Sequence, residues 1–150
     1  MRPTLDEYYL EIAKVVSSRS TCTKKHYGAV IVKNNRIVST GYNNPPACEA
    51  HCTTCTKISA GKDIQEYETC PAVHAEQNAI VFASHADMIG ADLYLAGYDV
   101  EAKQEHPNAM PCEICLRLIK NAGIARVINS TGIVYVRNEA GILVHQEFKK

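Results

Sequence analysis

Near the start of the chain, Leu5, Tyr8, Tyr9, Ile12, Val15 and Val16 recur at helical spacing. Thr4-Leu5-Asp6-Glu7 in front of them reads as a capping box: the threonine can accept from the third helical N–H while Glu7 reaches back. The spacing predicts a helix to about Ser17. Ala29-Val30-Ile31-Val32 is a short run of the buried-strand type, Lys33-Asn34-Asn35-Arg36 a turn, and Ile37-Val38-Ser39-Thr40 its hairpin partner. A second helix is expected from His74 to Ala83 and a strand at Leu93-Tyr94-Leu95-Ala96. A third helix is expected from Cys112 to Asn121, closed by Gly123 just past its end. Arg126-Val127-Ile128-Asn129 reads as a strand. Ile133–Arg137 and Ile142–Phe148, on either side of Asn138-Glu139-Ala140-Gly141, read as a final hairpin. The order α-β-β-α-β-α-β-β-β predicts a mixed sheet covered by helices in a single domain over residues 1–150.

Two stretches interrupt this pattern. Gly41 to about Cys70 is polar and rich in cysteine, and a loop of that length inside a compact domain needs something to pin it. Residues 98–110 form a second long connection, ending in Met110-Pro111.

Composition narrows the class. Of 150 residues, 46% are apolar and 21% charged, and the formal net charge is zero. These values suit a globular domain and exclude disordered and fibrous classes. The zero balance argues against a protein that clamps long nucleic acid, which needs a basic surplus. No apolar run is long enough to span a bilayer, and no signal-peptide core follows Met1. A cytoplasmic protein is therefore expected. In a reducing compartment, seven cysteines call for a metal rather than disulfides.

His74-Ala75-Glu76 opens one expected helix, and Pro111-Cys112-Glu113-Ile114-Cys115 opens the next. Two thiols at a helix start can face one ion, near the positive end of the helix dipole. His74 adds a third ligand, which leaves a tetrahedral zinc one open position, as catalytic zinc sites have. Glu76, two residues from His74, points elsewhere and is better placed to move protons than to bind metal. The combination of His-x-Glu with Pro-Cys-x-x-Cys is the signature of zinc deaminases acting on nucleobases. Either half alone has a plainer reading, as a helix start, a structural zinc corner or a redox pair.

With these motifs stand Arg19-Ser20-Thr21-Cys22, Tyr27-Gly28-Ala29-Val30-Ile31-Val32, Gly41-Tyr42-Asn43, Ala75-Glu76-Gln77-Asn78-Ala79-Ile80 and Asn121-Ala122-Gly123-Ile124. Through their order and spacing the chain resembles the deoxycytidylate (dCMP) deaminase family over residues 8–129. The resemblance implies a three-layer α/β/α sandwich of the cytidine deaminase type with a mixed sheet of about five strands. It implies hydrolysis of dCMP to dUMP and ammonia by hydroxide on a zinc held by His74, Cys112 and Cys115. In that chemistry Glu76 protonates ring N3 and then the departing ammonia. It also implies Asn43 on the sugar, Ala75 and Lys24 as candidate substrate contacts, dCTP or dTTP as candidate allosteric effectors, and a homo-oligomer. A turn asparagine is the plainer reading of Asn43, and an exposed basic turn that of Arg19, Lys24 and Lys25.

Several family members carry a second, structural zinc at positions matching Cys22 and Cys52. Cys52-x-x-Cys55 adds a chelating pair and Cys70 closes the loop, so Cys22, Cys52, Cys55 and Cys70 are the expected ligands, with Cys48 or His51 as substitutes. Lys24 and Lys25 could offset the charge of four thiolates. The chain departs from the family pattern at Asn44, at the long 98–110 connection and after Asn129. Other readings are a deaminase for another amino-substituted pyrimidine and, in a different class, a non-enzymatic zinc module; the latter would have no use for Glu76.

Overall fold

The computed structural model describes residues 1–55 and 70–146. Helix α1 (Leu5–Ser17) opens with the expected capping box, Glu7 N–H donating to Thr4 Oγ1 and Thr4 N–H to Glu7. Strands β1 (Lys25–Lys33) and β2 (Arg36–Tyr42) follow as a hairpin. Its loop is only two residues, Asn34 and Asn35, both at positive φ (51° and 58°). Asparagine tolerates that conformation, and the right-handed twist of the strands favours it. Then come α2 (Ala75–Val81), a single turn α3 (His85–Met88), β3 (Asp92–Asp99), β4 (Gln104–Glu105), α4 (Glu113–Ala122), β5 (Arg126–Asn129), β6 (Gly132–Arg137) and β7 (Leu143–His145).

Among the described residues the sheet has seven strands rather than about five. Its order is β2-β1-β3-β5-β6-β7, with β4 paired to β3. The strand the pattern did not announce is the two-residue β4, formed inside the 98–110 connection; the expected final hairpin stands at one edge as β6–β7. Only β3 and β5 run parallel, joined by the crossover through α4. Residues 147 and 148 of the expected last strand, and residues 56–69 of the cysteine-rich stretch, lie outside the described residues.

The central strands read as unbroken apolar runs because both faces are covered. Ala29, Ile31, Leu93, Leu95 and Val127 pack under α2 and α4. Val30, Val32, Tyr94, Ala96 and Ile128 pack under α1 with Tyr9 and Ala13. The stripe of large residues that signals α1 is only partly the face it buries, with Ile12 and Val16 packed against the core beside Tyr9. Tyr9, Ala13 and Ser17 are buried, while Leu5, Tyr8 and Val15 are exposed. The reason is Gly28: a Cβ there would lie 2.1 Å from the Ala13 carbonyl oxygen. The helix backbone rests on the strand, so only small residues fit the contact.

Candidate active site

Helices α2 and α4 lie on the same face of the sheet and pack against each other. Each is fixed at its N-terminus. Before α2, Asn44 and Val73 exchange main-chain hydrogen bonds of 3.1 and 2.8 Å, and His74 N–H donates to Gln77 Oε1 at 2.8 Å. A Cβ on Gly41 would sit 2.4 Å from the Ala75 carbonyl oxygen and 2.5 Å from the Ala79 nitrogen. Glycine is thus what lets α2 lie on β2. Asn78 Nδ2 donates to the Tyr42 carbonyl at 2.8 Å and sets the rotation of the helix. Before α4, buried Asn129 donates from Nδ2 to the Ala109 carbonyl (2.9 Å), while its Oδ1 accepts from Thr131 N–H and Oγ1. Cys112 is the N-cap, its sulfur accepting from Cys115 N–H at 3.5 Å.

These two helix starts bring His74, Cys112 and Cys115 together. His74 Nδ1 is 3.2 Å from Cys115 Sγ and 3.5 Å from Cys112 Sγ. Among the described residues this is the one His/Cys/Asp/Glu group whose ligand atoms all lie within 4.8 Å of one another. Ligands at 2.0–2.3 Å around a tetrahedral zinc sit about 3.3–3.8 Å apart, and the two separations from His74 are close to that range. Burial, with Glu76 and Cys112 adjacent, holds the Cys115 thiol well above its ordinary range. A metal ion binding here therefore displaces a proton.

Glu76 is 5% exposed, in the first turn of α2 and beside Cys115. Burial raises its carboxyl pKa. That shift moves a carboxyl toward the range where it can both take and give a proton. Tyr27, on β1, has its phenol pushed up to about 12, first by burial and then by Glu76; at neutral pH it is a donor.

The other expected residues fall as follows. Ala75 is fully buried in the first turn of α2. Asn43 is buried and binds β1 with both ends of its amide: Oδ1 accepts from Tyr27 N–H (2.7 Å) and Nδ2 donates to the Lys25 carbonyl (2.9 Å). Lys24 turns to Glu101 at 3.3 Å. Cys22, Cys55 and Cys70 lie near enough to Cys52 to raise its thiol pKa further, beyond the effect of burial. These four are neighbours, though not at the spacing of the first group. Cys48 is exposed, and His51 is engaged with Thr21 Oγ1 at 2.7 Å. Sequence reasoning passed over Asn129, Tyr27 and His106. The polar residue ending the apolar run Arg126–Asn129 was the signal for the first.

Known proteins match this arrangement. The profile of the cytidine and deoxycytidylate deaminase zinc-binding region covers residues 3–131. A deoxycytidylate deaminase of Mycobacterium phage D29 is 39% identical over 85% of this chain and 94% of its own length. That of Saccharomyces cerevisiae is 32% identical over 97% of this chain but only 46% of its own length. The dCMP deaminase of cyanophage S-TIM5, solved with dCMP and dUMP, is 29% identical with a TM-score of 0.61 over 85% of this chain and 82% of that one. A cytidine deaminase of Burkholderia pseudomallei, 18% identical with a TM-score of 0.53, shares the fold over 93% of this chain and 90% of its own. No helix among the described residues is long and apolar enough to cross a membrane. The triad could hold a metal ion, the profile of a zinc-binding region spans it, and the chain belongs to the cytidine and deoxycytidylate deaminases.

Proposed function

We propose that this chain is a single-domain hydrolytic deaminase that converts dCMP and water to dUMP and ammonia. The observation that carries the reading is the triad of His74, Cys112 and Cys115 with Glu76 buried beside it. The named activity of the phage and yeast relatives, and the nucleotides in the cyanophage structure, support the choice of substrate.

A zinc held by the triad supplies a Lewis acid that makes water nucleophilic at neutral pH. The remaining work falls to the chain. Glu76 takes a proton from the attacking water and places it on ring N3, so the ring can accept the electron pair when the C4–O bond forms. It then carries the second proton to the amino group, the C4–N bond breaks, and ammonia leaves. Burial of Glu76 keeps bulk water from short-circuiting that shuttle. The main chain of Ala75 and the amide of Asn43 line the proposed approach of base and sugar. Asn43 keeps one N–H and one lone pair beyond its two bonds to β1. Comparison of dCMP with deoxycytidine tests the substrate. A site that uses a phosphate loses that binding energy without it. We expect kcat/KM for dCMP to exceed that for deoxycytidine by about 100-fold, equivalent to two charge-assisted hydrogen bonds of ~1.5 kcal/mol. Equal values would make the chain a nucleoside deaminase.

The proposal includes a second, structural zinc on Cys22, Cys52, Cys55 and Cys70, supported by their grouping around Cys52. Metal analysis of untagged protein should then give two zinc ions per chain, and one would remove the second site. Cytoplasmic location, a homo-oligomer and dCTP or dTTP regulation complete the proposal. Sedimentation with and without the triphosphates tests the last two.

A further inference from the structure

We propose that His106, carried by the 98–110 connection, and Lys25, at the head of β1, form the phosphate-recognising end of the nucleotide site. The inference rests on the deaminase reading above and names residues that reading leaves open. Alternate residues of a strand share a face. Lys25 therefore shares the face of Tyr27, which packs into the core beneath α2 and α4. Across the ladder, Tyr27 pairs with Gly97 and Lys25 with Asp99.

Gly97 is where the 98–110 connection folds back. His106 N–H donates to the Gly97 carbonyl at 2.8 Å. A Cβ on Gly97 would lie 3.1 Å from Ala109 Cβ, 3.1 Å from Tyr27 Cε1 and 3.2 Å from the His106 carbonyl oxygen. The missing side chain thus seats the loop against Tyr27, and the His106 ring stands edge-on to the tyrosine ring with centroids 6.4 Å apart. The Lys25 ammonium is near enough to lower the His106 pKa, second to burial, while Asp99 opposes it. Glu76 is near enough to raise the Tyr27 pKa, second to burial. Tyr27 thus has His106 against its ring and Lys25 two residues before it on the same face; Glu76 is buried and these three are half-buried.

The three carry an ammonium, an imidazole and a neutral phenol, a donor set suited to a phosphate monoester. Lys24 faces Glu101 instead. Lys25 makes no ion pair with a described residue; Asp99 opposite it accepts from Ala102 N–H at 3.0 Å and feels the Lys25 charge more weakly than that bond. A nucleoside would have nothing to place between Lys25 and His106; a nucleotide would.

The test compares wild type, Lys25→Gln, His106→Gln and His106→Lys in steady-state turnover of dCMP and deoxycytidine. Calorimetric titration of the zinc-loaded proteins with inorganic phosphate runs alongside. Each glutamine variant should raise KM for dCMP by about 10-fold, the share of one charge-assisted hydrogen bond, with kcat little changed. The preference for dCMP over deoxycytidine should fall by the same factor, and His106→Lys should restore most of it. Phosphate binding should weaken in parallel. Glutamine variants that fold, bind zinc and keep both the wild-type preference and phosphate affinity would overturn the proposal. If wild type turns over neither substrate, the deaminase reading fails, and the phosphate titration still decides this subsite. Since His106 holds the loop through its main chain, its substitution leaves that hydrogen bond in place.

Discussion

Glu76→Gln is expected to abolish ammonia release from dCMP while the zinc content stays at its wild-type value. A zinc on His74, Cys112 and Cys115 would have the three protein ligands of an open tetrahedral site without this carboxylate. The reaction does need it, because the water must lose a proton, N3 must gain one and the leaving nitrogen must gain another. Glutamine keeps the volume and a hydrogen bond in a site where Glu76 is 5% exposed, so the packing of α2 survives. It cannot carry a proton. Removing a general acid–base group costs roughly 10²–10⁴ in rate; a residue that serves several steps should lie at or beyond the upper end. Steady-state ammonia release, measured beside zinc content on the same preparations, checks this. Near-normal turnover with normal zinc would mean that another group moves the protons.

The chemistry was legible because its residues sit close together in sequence at the starts of two helices. His74 and Glu76 are two apart, Cys112 and Cys115 three apart, and helix geometry does the rest. The sheet was legible in its centre, where Ala29–Val32 and Leu93–Ala96 are apolar on both faces. Its edges were less so. The two residues of β4 carry no strand pattern of their own; they pair because the chain turns back beside Asp99. The buried face of α1 was partly hidden for a related reason. Periodicity counts large apolar residues, whereas the contact with Gly28 selects Ala13 and Ser17. Substrate contacts were the least legible part. Whether a lysine at the start of a strand faces the site or an acid on the neighbouring loop depends on a one-residue alternation. Lys24 reaches Glu101, while Lys25 lies on the strand face it shares with Tyr27. His106 had no readable signal, because the loop position that gives it meaning depends on Gly97, nine residues earlier.

Cys115→Ser and Cys52→Ser should separate the two metal sites by their consequences. Cys115 belongs to a triad whose three members stand on elements already fixed by other bonds. Asn44–Val73 and Gly41 hold α2, and Asn129 holds the entry to α4. Removing one thiolate there should release the catalytic zinc and with it all measurable turnover, yet leave the melting temperature within a few degrees of wild type, since the core on both faces of the sheet is untouched. Cys52 stands in the long stretch between β2 and α2, where Cys22, Cys55 and Cys70 are its neighbours. If zinc ties these four, it closes a loop, and removing one ligand restores the freedom the metal had suppressed. Closing a loop of that size is worth about 2–4 kcal/mol by the chain-entropy argument. For a chain of this length that corresponds to a fall in melting temperature of roughly 5–15 °C. Cys52→Ser should therefore melt earlier while keeping its catalytic zinc and most of its activity at low temperature. Thermal melts and metal analysis of both variants decide the matter. An equal loss of stability in the two would contradict the division into one catalytic and one structural site, because it would mean the fold leans on both ions alike.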